Sequence, residues 1–184
     1  MPKQKIKFFT ADEISRILKH TTTEKEHAII TVLFSTGLRV HELVALPLEP
    51  FLRLPSIQTA FRENEVVSGQ QKLKTFELPI VGKGGRQRVV FFSPVCLLAN
   101  QRYLKTSNIA APGKVVSGQR KTESRTSPKF DLKLFPFSIR TIQRIVSKVA
   151  KRAGFEAWPH KFRHSFATNL LSKGVHLYAL KEFL

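Results

Sequence analysis

The feature that most restricts how this chain can fold is a pair of arginines set in otherwise apolar, helix-forming segments. Arg39 lies in TGLRVHEL (36–43), and Arg163 lies in HKFRHSFATNLL (160–171). A buried guanidinium is costly unless an anion meets it. On a helix His160 and Arg163 lie about 60° apart, so both can face one cleft, whereas His164 is expected to point elsewhere. We therefore predict that Arg39, His160 and Arg163 converge on a site for one phosphate group.

The net charge of the chain indicates what kind of molecule it binds. The chain has 184 residues, enough for one domain with a real core, and 42% of them are apolar, a normal globular value. It carries 31 Lys and Arg against 13 Asp and Glu, a net charge of +18. A protein this basic usually binds a polyanion, most often nucleic acid, although RNA-binding and membrane-surface proteins share the feature.

Metal, disulfide and membrane signals are weak. The single Cys96 lies in an apolar run and is interpreted as a core residue. His160 and His164 have the spacing of a zinc half-site, but no CxxC accompanies them, so no metal site is predicted. Neither a signal peptide nor an apolar run of membrane-spanning length is found, which favours a cytoplasmic, nucleoid-associated protein.

Capping signals divide most of the chain into helices. Thr10 and Glu13 form a capping box, Gly37 is a C-cap candidate, and Ser138 and Gly154 bracket an amphipathic segment. The predicted helices are 10–20, 24–36, 39–46, 94–104 and 138–153.

Two strands, 76–81 and 87–92, flank the glycine-rich segment GKGGR (82–86) and predict a β-hairpin with Lys83 at its tip. Residues 48–70 are hard to interpret and contain only a weak strand signal near 66–67. The Ser-, Thr- and Lys-rich stretch 106–137 is predicted to be a long loop or insertion.

The helix at 138–153 has an apolar side and a basic side. The basic residues recur at helical spacing without interleaved acids, which in so basic a chain favours contact with a DNA backbone over a solvated face. They are Arg140, Arg144, Lys148, Lys151 and Arg152. With about five phosphates neutralised, the logarithm of the DNA-binding constant should fall with the logarithm of salt concentration with a slope of roughly −4 to −5.

These residue types suit phosphodiester cleavage. Two arginines can clamp the negative charge that builds on the non-bridging oxygens of the transition state, because a guanidinium offers several donors and stays protonated. A lysine on a rigid turn, such as Lys83, could protonate the leaving 5′ oxygen. Glu42, three residues after Arg39, could hold that guanidinium in place or form a plain structural ion pair.

The order TGLRxxEL, strand–GKGGRQR–strand, HKFRHSFATNLLSKG is similar to the catalytic domain of the tyrosine recombinase (phage integrase) family, from about Phe8 to the last residue. The resemblance implies a mainly helical α+β DNA breaking-rejoining core with a small antiparallel sheet. It also implies that Arg39 and Arg163 clamp the phosphate, Lys83 is the general acid and His160 manages the nucleophile's proton, with Arg86 as a further DNA contact. Duplex DNA and other recombinase protomers would be the partners, with no cofactor.

The chain also departs from this family. The segment 175–184 resembles the helix that precedes the family's Gly-His pair and its tyrosine nucleophile, and neither the pair nor the nucleophile follows within 1–184. We therefore expect a catalytic domain incomplete at its C-terminus and inactive in cleavage by itself. Alternatives are a non-catalytic DNA-binding regulator or decoy derived from a recombinase, and a basic RNA-binding protein.

Overall fold

Helices dominate the computed structural model, which describes residues 8–53, 75–82, 85, 87–107 and 132–184. Within these ranges the chain forms eight helices and one two-stranded antiparallel sheet. The helices are α1 (Ala11–Lys19), α2 (Glu24–Thr36), α3 (Val40–Ala45), α4 (Glu49–Leu52), α5 (Pro94–Ser107), α6 (Ile139–Arg152), α7 (Pro159–Ser172) and α8 (Leu177–Phe183). The strands are β1 (Phe76–Val81) and β2 (Gln87–Phe92). The predicted fold class, mainly helical with a small antiparallel sheet, is confirmed.

Local capping explains where the first helices begin and end. The Thr10 hydroxyl accepts a hydrogen bond from the Glu13 N–H at 3.3 Å, and the Glu13 carboxylate accepts one from the Thr10 N–H at 2.8 Å. Helix α2 begins after Thr23 and ends at Gly37, whose φ of 63° lies in the left-handed region. The predicted capping box and C-cap are therefore confirmed.

The two predicted strands pair over their full length, with Phe76 opposite Phe92 and Val81 opposite Gln87. Leu78, Val90 and Phe92 face the core, and the alternate residues of each strand face outward. The hairpin therefore buries one face only, as expected for an antiparallel pair.

Three elements differ from the sequence-based expectation. Helix α4 was not predicted, and α5 continues to Ser107, into the stretch assigned to a loop. At the other end of that stretch, Leu134 and Phe135 are fully buried, and Lys133 forms a β-bridge with Pro47. The intervening residues 108–131, like the weak strand signal near 66–67, lie outside the described residues.

Helix α2 lies at the centre of the molecule and packs against α5, α6, α7 and β2. Its run of fully buried residues, among them Ile29 and Leu33, belongs to the same core as Phe162 of α7. Helix α8 packs on α7 and β2 and buries Leu180, while Leu177 is exposed. Among the described helices, none combines the length and the apolar character that a membrane span requires.

Candidate phosphate-binding site

Arg39 lies at the junction between α2 and α3. Gly37 reverses the chain after α2, and Arg39 then adopts an extended conformation as the N-cap residue of α3. Its side chain is 35% exposed, and its Nη1 donates to Glu42 Oε1 at 3.1 Å. The junction therefore presents the guanidinium at the surface while one of its donors is held by a buried acid.

Glu42 is the buried acid on which three arginines converge. Its side chain is 1% exposed, and its Oε2 accepts from the main-chain N–H of Arg39 and from Nη2 of Arg88, both at 2.7 Å. Nη1 of Arg163 lies 3.9 Å from the same oxygen. Burial raises the pKa of Glu42, but the hydrogen bonds from Arg39 and Arg88 outweigh it and hold the pKa below its usual value, so that Glu42 is ionised.

Arg163 makes its hydrogen bonds with the main chain, and its ion pair with Glu42 is a longer contact of 3.9 Å. It is buried in α7, its Nη1 donates to the carbonyl oxygen of Gly37 at 2.5 Å, and its Nη2 donates to the main-chain oxygen of Leu184. Burial, together with the charges of Arg39 and Arg88, lowers its pKa to about 10, so it remains protonated at neutral pH. A buried cation that is repelled by two neighbouring cations is a strong candidate to bind an anion.

His160 lies one helical turn before His164, and their rings meet edge to face with centroids 4.4 Å apart. The expectation that His164 points elsewhere is wrong, because residues four apart on a helix share a face. His160 is exposed, and the partial loss of water around its ring, together with the charges of His164, Arg163 and Arg39, lowers its pKa. His160 is therefore biased towards the neutral form, which can accept a proton. Within the described ranges, no three His, Cys, Asp or Glu residues come close enough to hold a metal ion.

The two cations predicted at the hairpin tip, Lys83 and Arg86, lie outside the described residues. The strands on either side are described, and β1 ends and β2 begins at the pair Val81 and Gln87. The roles assigned to Lys83 and Arg86 therefore stay predictions.

The basic stripe on α6 is largely as predicted. Arg140, Arg144, Lys148 and Lys151 are exposed along one helix. Arg152 differs, because its guanidinium donates to Glu26 at 2.5 Å and to the Thr22 hydroxyl at 2.8 Å. Its charge is thus neutralised by an ion pair that links α6 to the start of α2. We therefore remove Arg152 from the stripe, which keeps the four exposed residues.

Arg88 is the site residue that the sequence analysis missed. It lies on the inward face of β2, in phase with Val90 and Phe92, and its side chain is 10% exposed. A charged residue in phase with two core residues of a strand is the signal that could have identified it, because such a residue needs a buried partner.

Comparison with known proteins shows which family this chain matches. The model of the phage integrase family matches residues 7–184. The chain is 31% identical over 184 residues to the tyrosine recombinase XerA of Pyrococcus horikoshii, covering 100% of this chain and 54% of that protein. It is 30% identical over 178 residues to the tyrosine recombinase XerC of Leptospira interrogans, covering 95% of this chain and 44% of that protein. The chain thus spans about half the length of the curated relatives it matches.

Solved structures agree in fold. A crystal structure of XerA recombinase superposes with a TM-score of 0.67 at 22% identity, covering 100% of this chain and 57% of that chain. The XerH site-specific recombinase bound to its difH substrate, in a pre-cleavage complex, gives a TM-score of 0.64 at 20% identity, covering 100% of this chain and 48% of that chain. Both likenesses concern the fold.

Proposed function

The chain belongs to the phage integrase family, and we propose that it is the DNA-binding catalytic core of a site-specific tyrosine recombinase, which cleaves and rejoins DNA through a 3′-phosphotyrosine. The observation that carries the proposal is the meeting of Arg39 and Arg163, from distant parts of the chain, around Glu42. With Arg88 the cluster holds three guanidinium groups against one carboxylate, so it has a surplus of positive charge. A phosphodiester supplies the missing anion, and its transition state supplies more negative charge still.

Each proposed role follows from chemistry and position. Arg39 and Arg163 hold the non-bridging oxygens of the scissile phosphate, and Lys83 protonates the 5′ oxygen as it leaves. His160, with its lowered pKa, is suited to take the proton of the attacking phenol. Neither Tyr103 nor Tyr178 is assigned as the nucleophile, and no cofactor is assigned to the reaction.

Duplex DNA is the proposed substrate, with other recombinase protomers as further partners. The four exposed cations of α6 supply a surface for the DNA backbone, and the related XerH recombinase was crystallised on a DNA substrate. Such a protein would act in the cytoplasm, in association with the nucleoid.

A second candidate is a DNA-binding regulator without cleavage activity. The observation behind it concerns residues 1–184 alone, which contain two tyrosines: Tyr103 is 2% exposed and stacks on Phe135, and Tyr178 is 73% exposed on α8. Burial raises the pKa of Tyr103 to about 12, which makes it a poor nucleophile at neutral pH. Both candidates require the same binding to DNA.

Salt dependence of binding tests the shared part of the proposal. With four exposed cations of α6 on phosphates, the logarithm of the binding constant should fall with the logarithm of salt concentration with a slope of roughly −3.6. Reversing two of them, Arg144→Glu with Lys148→Glu, should reduce the slope by about 2 units and weaken binding similarly on unrelated duplexes.

The matched control reverses two exposed cations of another helix, Arg102→Glu with Lys105→Glu on α5, which changes the net charge by the same amount. It should leave the slope nearly unchanged. Equal losses from both double variants would show that only net charge matters, and a flat salt dependence of the unmodified chain would exclude the proposed backbone contact.

A further inference from the structure

Arg88 connects the hairpin to the arginine cluster. It is the second residue of β2, and its guanidinium reaches across to helix α3, where Nη2 lies 2.7 Å from Glu42 Oε2. Both side chains are shielded from solvent, with exposures of 10% and 1%. Ion pairs of this kind are screened little by salt and are sensitive to the loss of either partner.

The hydrogen bonds accepted by Glu42 Oε2 show how Arg88 affects the neighbouring arginines. That oxygen already accepts two hydrogen bonds at 2.7 Å, from Arg88 and from the main chain of Arg39. Arg163 stays at 3.9 Å, beyond hydrogen-bond distance, and its Nη1 donates to the Gly37 carbonyl instead. Without Arg88, the carboxylate would have a spare acceptor and an uncompensated charge facing the other two guanidinium groups.

We propose that Arg88 is a positioning residue of the anion site: by holding Glu42 it keeps Arg39 and Arg163 from pairing fully with that carboxylate and leaves them available to a phosphate. This inference rests on the proposed function, because it concerns the same two arginines. Arg88 also fastens the start of β2 to the helix that follows Arg39.

The test uses the complete 184-residue chain and inorganic sulfate as probe, since sulfate remains a dianion across the pH range in which histidine titrates. Sulfate affinity is measured by NMR from the ring proton resonances of His160, which also report its pKa. Arg88→Gln should weaken sulfate binding roughly fivefold, within the range that coupling between contacting charged groups produces. It should also raise the His160 pKa, because Glu42 would then offset the charges of Arg39 and Arg163.

A double variant tests whether Arg88 positions the other arginines or binds the anion directly. Because it also removes the Glu42 carboxylate, it leaves no buried unpaired acid and remains usable if Arg88→Gln alone does not fold. In a Glu42→Gln background there is no carboxylate to release, so adding Arg88→Gln should change sulfate affinity by less than about twofold. A loss there as large as in the native background would overturn the inference, since Arg88 would then bind the anion itself. Arg88→Lys, which keeps the charge, should restore much of the affinity lost in Arg88→Gln.

The proposed function fails separately from this inference. Arg163→Gln must abolish the sulfate-dependent shift of His160 if the anion site is where we place it. If Arg163→Gln abolishes the shift and Arg88→Gln leaves affinity and His160 pKa unchanged, the positioning role is wrong. If Arg163→Gln has no effect, the anion site itself is misplaced.

Discussion

Among the described glycines with a positive φ, Gly37 is the one at which an added carbon should cost the most, because two constraints meet there. Its φ is 63°, and a Cβ would lie 2.4 Å from Cδ1 and 2.9 Å from Cε1 of Phe166. Its carbonyl also receives the hydrogen bond from Arg163. A left-handed conformation costs a non-glycine residue roughly 1–2 kcal/mol. Alanine also lowers the conformational entropy of the unfolded chain, which offsets about 0.4–1 kcal/mol of that cost. Overpacking adds about 1–3 kcal/mol, so Gly37→Ala should lower the free energy of unfolding by about 1–5 kcal/mol.

Gly154 is the matched control for this substitution. It has a φ of 84°, also in the left-handed region, but a Cβ there would have nothing within 4 Å. Gly154→Ala should therefore cost only the backbone part, about 1.6 kcal/mol or less. Urea denaturation followed by far-UV circular dichroism measures both free energies of unfolding, and the denaturant dependence should be the same in the two variants.

Phe166→Leu completes the experiment by removing the ring that the new carbon would strike. The double variant Gly37→Ala with Phe166→Leu should be more stable than the sum of the single effects predicts, by at least about 1 kcal/mol. Equal destabilisation by Gly37→Ala and Gly154→Ala, together with additive behaviour of Phe166→Leu, would refute the close-packing argument.

Two further outcomes are expected. Burial raises the pKa of Glu26, but the hydrogen bonds from Thr22 and Arg152 outweigh it and hold the pKa below 4.5. The contribution of ionised Glu26 to stability is therefore complete above that pH and is lost as pH falls through the folded-state pKa. Urea denaturation at each pH should show that Glu26→Gln loses less stability than the native chain between about pH 5 and pH 3. The 184-residue chain, incubated with a nicked suicide duplex, should give no covalent adduct on a denaturing gel, because Tyr103 is buried and Tyr178 belongs to the segment that resembles the helix before the family's nucleophile; an adduct that disappears in Tyr178→Phe would contradict this.

The features that could be predicted from the sequence are those governed by neighbours a few residues away. The cap at Thr10, the helix end at Gly37 and the cap at Ser138 all lie where predicted, because a capping hydrogen bond or a left-handed turn involves only adjacent residues. The pairing of β1 with β2 was equally local. Helix α4 was missed because four residues with a proline in the first turn carry little periodicity.

The arginines show where sequence reasoning stopped. Arg39 and Arg163 were identified from their apolar surroundings and the motifs around them, and the structure does bring both to Glu42. Arg152 was placed with the exposed cations of α6, but the approach of α2 turns it into the partner of Glu26. Helical spacing predicts the side of a helix on which a residue lies and cannot predict what packs there.

The sequence by itself therefore determined most of the helices, the pairing of β1 with β2, the family and the surplus of positive charge, all of which depend on local spacing or on composition. Only the tertiary structure decided which of those charges are neutralised. Arg88 and Arg144 are the same amino acid, yet one is buried against Glu42 and the other is exposed on α6. The free energy of a charge depends on its burial and on the opposite charge beside it, and both are set by contacts between residues far apart in the chain.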